Sequence, residues 1–115
     1  MKRSLTREER IGSASDFKRI FASAASHSCR GAKIFFTQNE KGYNRIGITL
    51  RRKYGNAVER NYARRIMKEI YRNNKDAIKQ GFDIILIMYP GKYSFGDREE
   101  QFMLLLGRSG LVKGN

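Results

Sequence analysis

The side chains best suited to chemistry in this sequence are cations. Arg51, Arg52, Lys53, Arg60, Arg64, Arg65, Lys68 and Arg72 stand between residues 51 and 72, with Glu59 and Glu69 as the only acids. Arg60, Arg64 and Lys68 are spaced four apart, where like charges on a helix repel by about 0.2–0.5 kcal/mol per pair. A solvated helix face ordinarily alternates its signs at that spacing. A run that accepts the repulsion suits phosphate oxygens, which the planar fork of arginine binds in pairs. Asn61, in the same stretch, adds a donor and an acceptor suited to a base edge or a sugar hydroxyl. None of these groups is a proton-transfer catalyst.

Residues for bond-breaking chemistry are sparse. His27 is the only histidine and sits in a polar connector, so a general acid and base pair is not expected from histidine. Asp16, Asp76, Asp83 and Asp97 are dispersed, and two of them read as helix-capping residues. Cys29 is the only cysteine, which leaves no intrachain disulfide and no thiolate set for zinc. No catalytic residue and no metal ligand is expected in this chain.

Composition points the same way. The 115 residues carry 24 Lys and Arg against 11 Asp and Glu, a net charge of +13 and a pI near 10.3. Such self-repulsion implies a polyanionic partner, nucleic acid first. The longest apolar runs, 84–89 and 102–106, fall far short of the roughly 20 residues of a spanning helix, so no membrane partner is expected. The charged start of the chain has no apolar stretch behind it, and a cytoplasmic location is expected. An apolar share of 40% supports one compact domain at residues 10–115, with residues 1–9 as a flexible basic N-terminal arm.

The elements that must position the cations follow from periodicity. Phe17, Ile20, Phe21 and Ala24 form one stripe of a helix capped at Ser13, with Asp16 three residues on. Residues 26–31 are small and polar, a connector in which a short strand stays open. Ala32, Ile34 and Phe36 alternate with Lys33, Phe35 and Thr37, and Ile46, Ile48 and Leu50 alternate with their neighbours. With a turn at 39–42 the two runs read as an antiparallel hairpin ending in Arg51–Lys53. A helix then opens at Asn56 with Glu59 as its capping-box partner and runs to about Asn74. On a wheel of about 100° per residue, Val58, Tyr62, Ala63, Ile66, Met67 and Ile70 share the core-facing half, and Arg60, Asn61, Arg64, Arg65, Lys68 and Arg72 form a continuous polar half. Residues 82–89, apolar apart from Asp83, read as a central strand. Ser94 with Asp97 opens a last helix carrying Phe95, Phe102, Leu105 and Leu106 on its apolar face. The order fits an α/β (α+β) two-layer sandwich, one mixed sheet of about four strands covered by helices.

The run Gly55-Asn56-Ala57-Val58-Glu59-Arg60-Asn61-Tyr62-Ala63-Arg64-Arg65, after a basic triplet closing a strand with Ile46-Gly47-Ile48, resembles the signature of the bacterial ribonuclease P protein family. Arg10-Ile11 followed by Asp16-Phe17 and Phe21 resembles the family's start, and the resemblance covers nearly all of the chain after residue 9. Two positions depart from it. Tyr62 stands where the family usually has a third basic residue, and Arg51 where it often has a small polar one. The resemblance implies a left-handed βαβ crossover through the basic helix, where general rules favour the right hand. It implies two partners, the catalytic RNA subunit of ribonuclease P and precursor tRNA. The catalytic RNA would be bound by Arg51, Arg52, Lys53, Arg60, Asn61, Arg64, Arg65, Lys68 and Arg72. Phe17, Phe21 and Phe36 would line a cleft for the single-stranded 5′ leader. Chemistry would belong to the RNA and its Mg2+, with no cofactor intrinsic to the protein. The alternative reading is a general or ribosomal-type RNA-binding protein without a role in tRNA cleavage. A DNA-binding helix module fits poorly with the strands flanking the basic helix.

Overall fold

The computed structural model describes residues 6–114. Helix α1 (Ala14–Ser23) is followed by strands β1 (Ala25–Cys29), β2 (Ala32–Gln38) and β3 (Arg45–Leu50), helix α2 (Ala57–Asn74), strand β4 (Phe82–Met88) and helix α3 (Phe95–Arg108). A single 3-10 turn, Lys75–Ala77, continues α2. The connector at 26–31 thus holds most of a strand. The four strands form one mixed sheet in the order β1-β2-β4-β3.

The expected hairpin does not form. β4 lies between its two strands, antiparallel to β2 with Ala32 opposite Met88, and parallel to β3 with Ile46 opposite Ile84. The reason is burial: Asp83 through Leu86 and Met88 are all inside, and a strand apolar on both faces belongs in the middle of a sheet. The connection from β2 to β3 therefore crosses about 10 Å, two strand spacings, rather than one. Asn39 and buried Asn44 shape that crossing. The Asn39 amide donates to the Tyr43 carbonyl, and Asn44 donates from its side chain to the Lys79 carbonyl and accepts from the Phe82 amide.

Strand alternation assigns the two faces. Ile34, Ile46, Leu50, Ile84, Leu86 and Met88 face the main core beneath α2 and α3, where they meet Ile66, Met67, Ile70, Tyr71, Phe102, Leu105 and Leu106. Ile85 faces the other way and packs with Ile11 and Ile20 under α1. Two expected core residues of α2 are outside: Val58 is 77% exposed and Tyr62 57%. The buried stripe is Ala63, Ile66, Met67, Ile70 and Tyr71, centred well round the helix from Val58 and Tyr62. Phe95, expected on the apolar face of α3, is also exposed.

The chain joins the sheet before residue 10. The Ile46 amide donates to the Glu9 carbonyl at 2.7 Å, and the buried Glu9 carboxylate accepts from Thr6 and pairs with Lys75. The expected arm is thus anchored from Thr6 onward, and its residues 1–5 lie outside the described residues.

Candidate nucleic-acid interfaces

Helix α2 starts at the expected residue. The Asn56 side chain accepts from the Glu59 amide at 2.9 Å and Glu59 accepts from the Asn56 amide at 3.0 Å, a complete capping box. With Glu59 occupied there and Glu69 paired with Arg72, no acid on the helix serves the other cations. Among the described residues, Arg52, Lys53, Arg64, Arg65 and Lys68 make no side-chain hydrogen bond or ion pair. Arg64 is half-buried; Arg65, Lys68 and Asn61 are exposed. Arg60 is tied down, donating to the Arg51 carbonyl at 3.1 Å, and the Arg51 guanidinium lies 5.4 Å from the centre of the Tyr89 ring. The nine predicted residues therefore lie together along α2 and the loop that feeds it. Beside Asn61 they divide into partner-free cations, Arg52, Lys53, Arg64, Arg65 and Lys68, and engaged ones, Arg51, Arg60 and Arg72, interleaved along the run. Five cations without counter-charges on one surface can do one thing chemically, which is to accept an external row of anions.

Of the three rings expected to line a cleft, the structure brings two together. Phe17 and Phe21 of α1 are neighbours, with ring centres 6.2 Å apart. The ring that meets them is Phe35, whose edge stands against Phe21 at 4.8 Å. Phe36 points to the opposite face of the sheet, toward the main core, and stacks on His27 at 6.0 Å. A shift of one residue along a strand moves a side chain to the other face, so Phe35 and not the expected Phe36 shares a face with Phe17 and Phe21. The signal was present in the alternation: Ala32 and Ile34 are wholly apolar company, whereas Phe35 shares its face with Lys33 and Thr37. Lys33 Nζ sits 5.0 Å from the centre of the Phe35 ring, adding a cation to the platform. Gly47 lets the Phe17 ring close onto the sheet, because a Cβ there would come within 2.8 Å of that ring. α1 covers only part of its sheet face, and Lys33, Phe35, Thr49 and Ile87 remain half-buried beside it.

The carboxylates near the cleft are committed to arginine. Arg45 makes two 2.8 Å bonds to Asp83, which is 1% exposed, and one of 3.5 Å to Asp16. Burial pushes the Asp83 carboxyl up, but hydrogen bonds from Arg45 and Asn39 outweigh it and hold the group below the usual carboxylate range. The Arg19 bond to Asp16 holds that carboxyl down too. Carboxylates locked to guanidinium groups are poor ligands for a hard cation such as Mg2+. Among the described residues no group of three or more His, Cys, Asp or Glu is placed to hold a metal ion. No helix among them is long and apolar enough to cross a membrane.

Comparison with known proteins decides the family. The model of the Ribonuclease P family matches residues 5–109. The chain belongs to the ribonuclease P protein family. Membership ties it to tRNA processing as part of an endoribonuclease complex. The ribonuclease P protein component of Thermotoga maritima is 40% identical over 87 residues, covering 76% of this chain and 74% of the relative. The solved structure of the Thermotoga maritima RNase P protein superimposes with a TM-score of 0.77 at 35% identity, over 87% of this chain and 96% of that one. The Staphylococcus aureus RNase P protein gives a TM-score of 0.84 at 27% identity, over 91% of this chain and 98% of that one. The mixed sheet with three helices is thus the architecture of bacterial ribonuclease P proteins.

Proposed function

We propose that this chain is the RNA-binding subunit of ribonuclease P, assisting a catalytic RNA in removing the 5′ leader from precursor tRNA. The observation that carries the proposal is the partner-free cationic face of α2, which has no use inside the protein. Arg52, Lys53, Arg64, Arg65 and Lys68 bind phosphates of the catalytic RNA, and Asn61 contributes a directional bond to a base or sugar. The cleft at α1, on the other face of the sheet, takes the single-stranded leader. Phe21 and Phe35 offer ring faces to unpaired bases, Lys33 takes a phosphate, and Phe17 sets the floor against Gly47. Placing one RNA surface on each face of the sheet lets a single small domain hold substrate and catalyst together.

The protein's part in cleavage is positional and electrostatic. By resemblance to the family, the chemistry would belong to the partner RNA and to Mg2+ held mainly by it, while Asp16 and Asp83 of this chain stay paired with arginine. Reconstitution tests the reading. The purified protein, added to its cognate catalytic RNA at low magnesium, is expected to raise the rate of 5′ cleavage of precursor tRNA. Absence of any stimulation would favour the alternative of a general RNA-binding protein. Phe21→Ala is expected to lower affinity for long-leader substrates while leaving leaderless tRNA binding unchanged.

A further inference from the structure

Arg98 of α3 is only 3% exposed and is fully engaged. Its guanidinium donates to the carbonyls of Gly31 and Tyr89, the side-chain oxygen of Gln101 and the hydroxyl of Tyr54, each at 2.9 Å. It also lies over Tyr93, 4.4 Å from the ring centre. Tyr93 is closed in by two glycines: a Cβ on Gly31 would come within 2.8 Å of its ring, and one on Gly91 within 2.3 Å. Two tyrosines are thereby fixed by a buried cation and close packing before any ligand arrives. A side chain held this firmly binds with little ordering cost.

Tyr54 and Tyr93 line an open cavity of about 620 Å3, together with Glu59, Tyr62 and Lys92. Tyr62 is the member with no structural reason to be there. Ile66 and Ile70, about one and two turns on, are buried, whereas its own ring is 57% exposed and its hydroxyl has no partner among the described residues. The amides at the adjacent helix starts are not the attraction, since Asn56 and Ser94 already cap them. What the cavity offers is aromatic surface with a lysine at its edge. Pro90, next in the chain to Gly91, borders a second hollow lined by Arg51, Arg52 and Lys53, so the cavity adjoins the basic loop before α2.

We propose that this tyrosine-lined cavity is a third RNA site, in which one unstacked nucleobase lies against Tyr62 and Tyr93 while Lys92 takes its phosphate. The inference rests on the reading of α2 as an RNA-binding face. Every base has a π-face that stacks on an aromatic ring; Glu59, the one acid of the lining, is occupied by the Asn56 amide, and Lys92 with the adjoining Arg51, Arg52 and Lys53 favours an anionic ligand over an apolar one. A second copy of this chain is disfavoured as occupant by its net charge of +13. The site uses the tyrosine that stands where the resemblance usually implies a third basic residue.

Photocross-linking tests it. The full chain is irradiated with single-stranded oligouridylate containing 5-iodouridine, and the adducts are mapped by mass spectrometry. Adducts on Tyr62 or Tyr93 are expected, with the Tyr93 adduct falling about fivefold or more in Tyr62→Leu and persisting in Tyr62→Phe. Adducts confined to the α1 cleft, or a Tyr93 yield unchanged in Tyr62→Leu, would overturn the proposal. Arg64→Ala, measured in parallel by fluorescence anisotropy, separates the two readings. Weaker binding in Arg64→Ala with unchanged cross-linking in Tyr62→Leu defeats the cavity alone, and no binding by the wild-type chain defeats both.

Discussion

At the scale of single residues, Gly47 and Arg98 have the sharpest consequences. Gly47 leaves room for the Phe17 ring, and the added methyl of Gly47→Ala at 2.8 Å forces that ring to move. Overpacking of this kind costs about 1–3 kcal/mol. Urea denaturation should show a loss in that range, together with weaker binding of single-stranded leader because the floor of the cleft has shifted. Arg98→Leu removes donors to the Tyr89 carbonyl, the Tyr54 hydroxyl and the Gly31 carbonyl, of which the last keeps the Tyr89 amide. Removing a hydrogen bond from a charged donor costs roughly 1.5–3 kcal/mol, so the midpoint of urea unfolding should fall well below that of the wild type. An Arg98→Leu protein as stable as the wild type would mean that water replaces the guanidinium.

Among the elements, α2 separates folding from function most cleanly, because one side of it packs and the other does not. Asn56→Ala breaks the capping box and should lower stability by about 1 kcal/mol with RNA affinity nearly unchanged once folded. Arg64→Ala or Arg65→Ala should do the reverse. Thermal stability is expected to hold, and the log-log salt slope of RNA binding should shrink by about 0.7–0.9 for each phosphate that is no longer neutralised. A fixed slope with a lowered melting temperature would make those arginines structural. The start of α2 was legible in the sequence because a capping box is local chemistry, and its basic face because charge on a helix sorts by angle. The outward turn of Val58 and Tyr62 was not legible, since it depends on where the buried stripe of α2 meets the sheet. The pairing of β4 between β2 and β3 was hidden for a similar reason: strand alternation fixes faces but not neighbours. The Phe36 prediction failed within an otherwise correct strand, because aromatic rings stand on both sides of β2 and only the company of Lys33 and Thr37 marks the open side. Arg98 left no signal, since all its partners but Gln101 come from three other segments of the chain.

For the molecule as a whole, the decisive balance is between a net charge of +13 and a few buried ion pairs that hold distant segments together. Arg45 and Asp83 join β3 to β4, and Glu9 and Lys75 join the start of the chain to the end of α2. Burial pushes the Glu9 carboxyl up, but bonds from Lys75 and Thr6 outweigh it and leave the group lowered, as with Asp83. A carboxyl whose folded pKa lies below its unfolded value adds stability above the unfolded value and loses it as pH falls through the folded one. The protein should therefore be stable at neutral pH and lose stability progressively as pH falls from about 4, where unfolded carboxyls take up protons, through the lowered folded values of these two groups. Acid also removes the negative charges that offset 24 cations, so repulsion grows as the pairs fail. The two causes separate experimentally, because salt screens repulsion between exposed charges far more than it screens a buried pair. Chemical denaturation with urea at pH 7 and pH 3.5, at low and high salt, should show partial recovery at pH 3.5 on adding salt. Asp83→Asn should reduce the dependence on pH without altering the recovery by salt. Complete recovery of the wild type by salt would assign the acid sensitivity to repulsion alone and leave the Arg45–Asp83 and Glu9–Lys75 pairs no part in it.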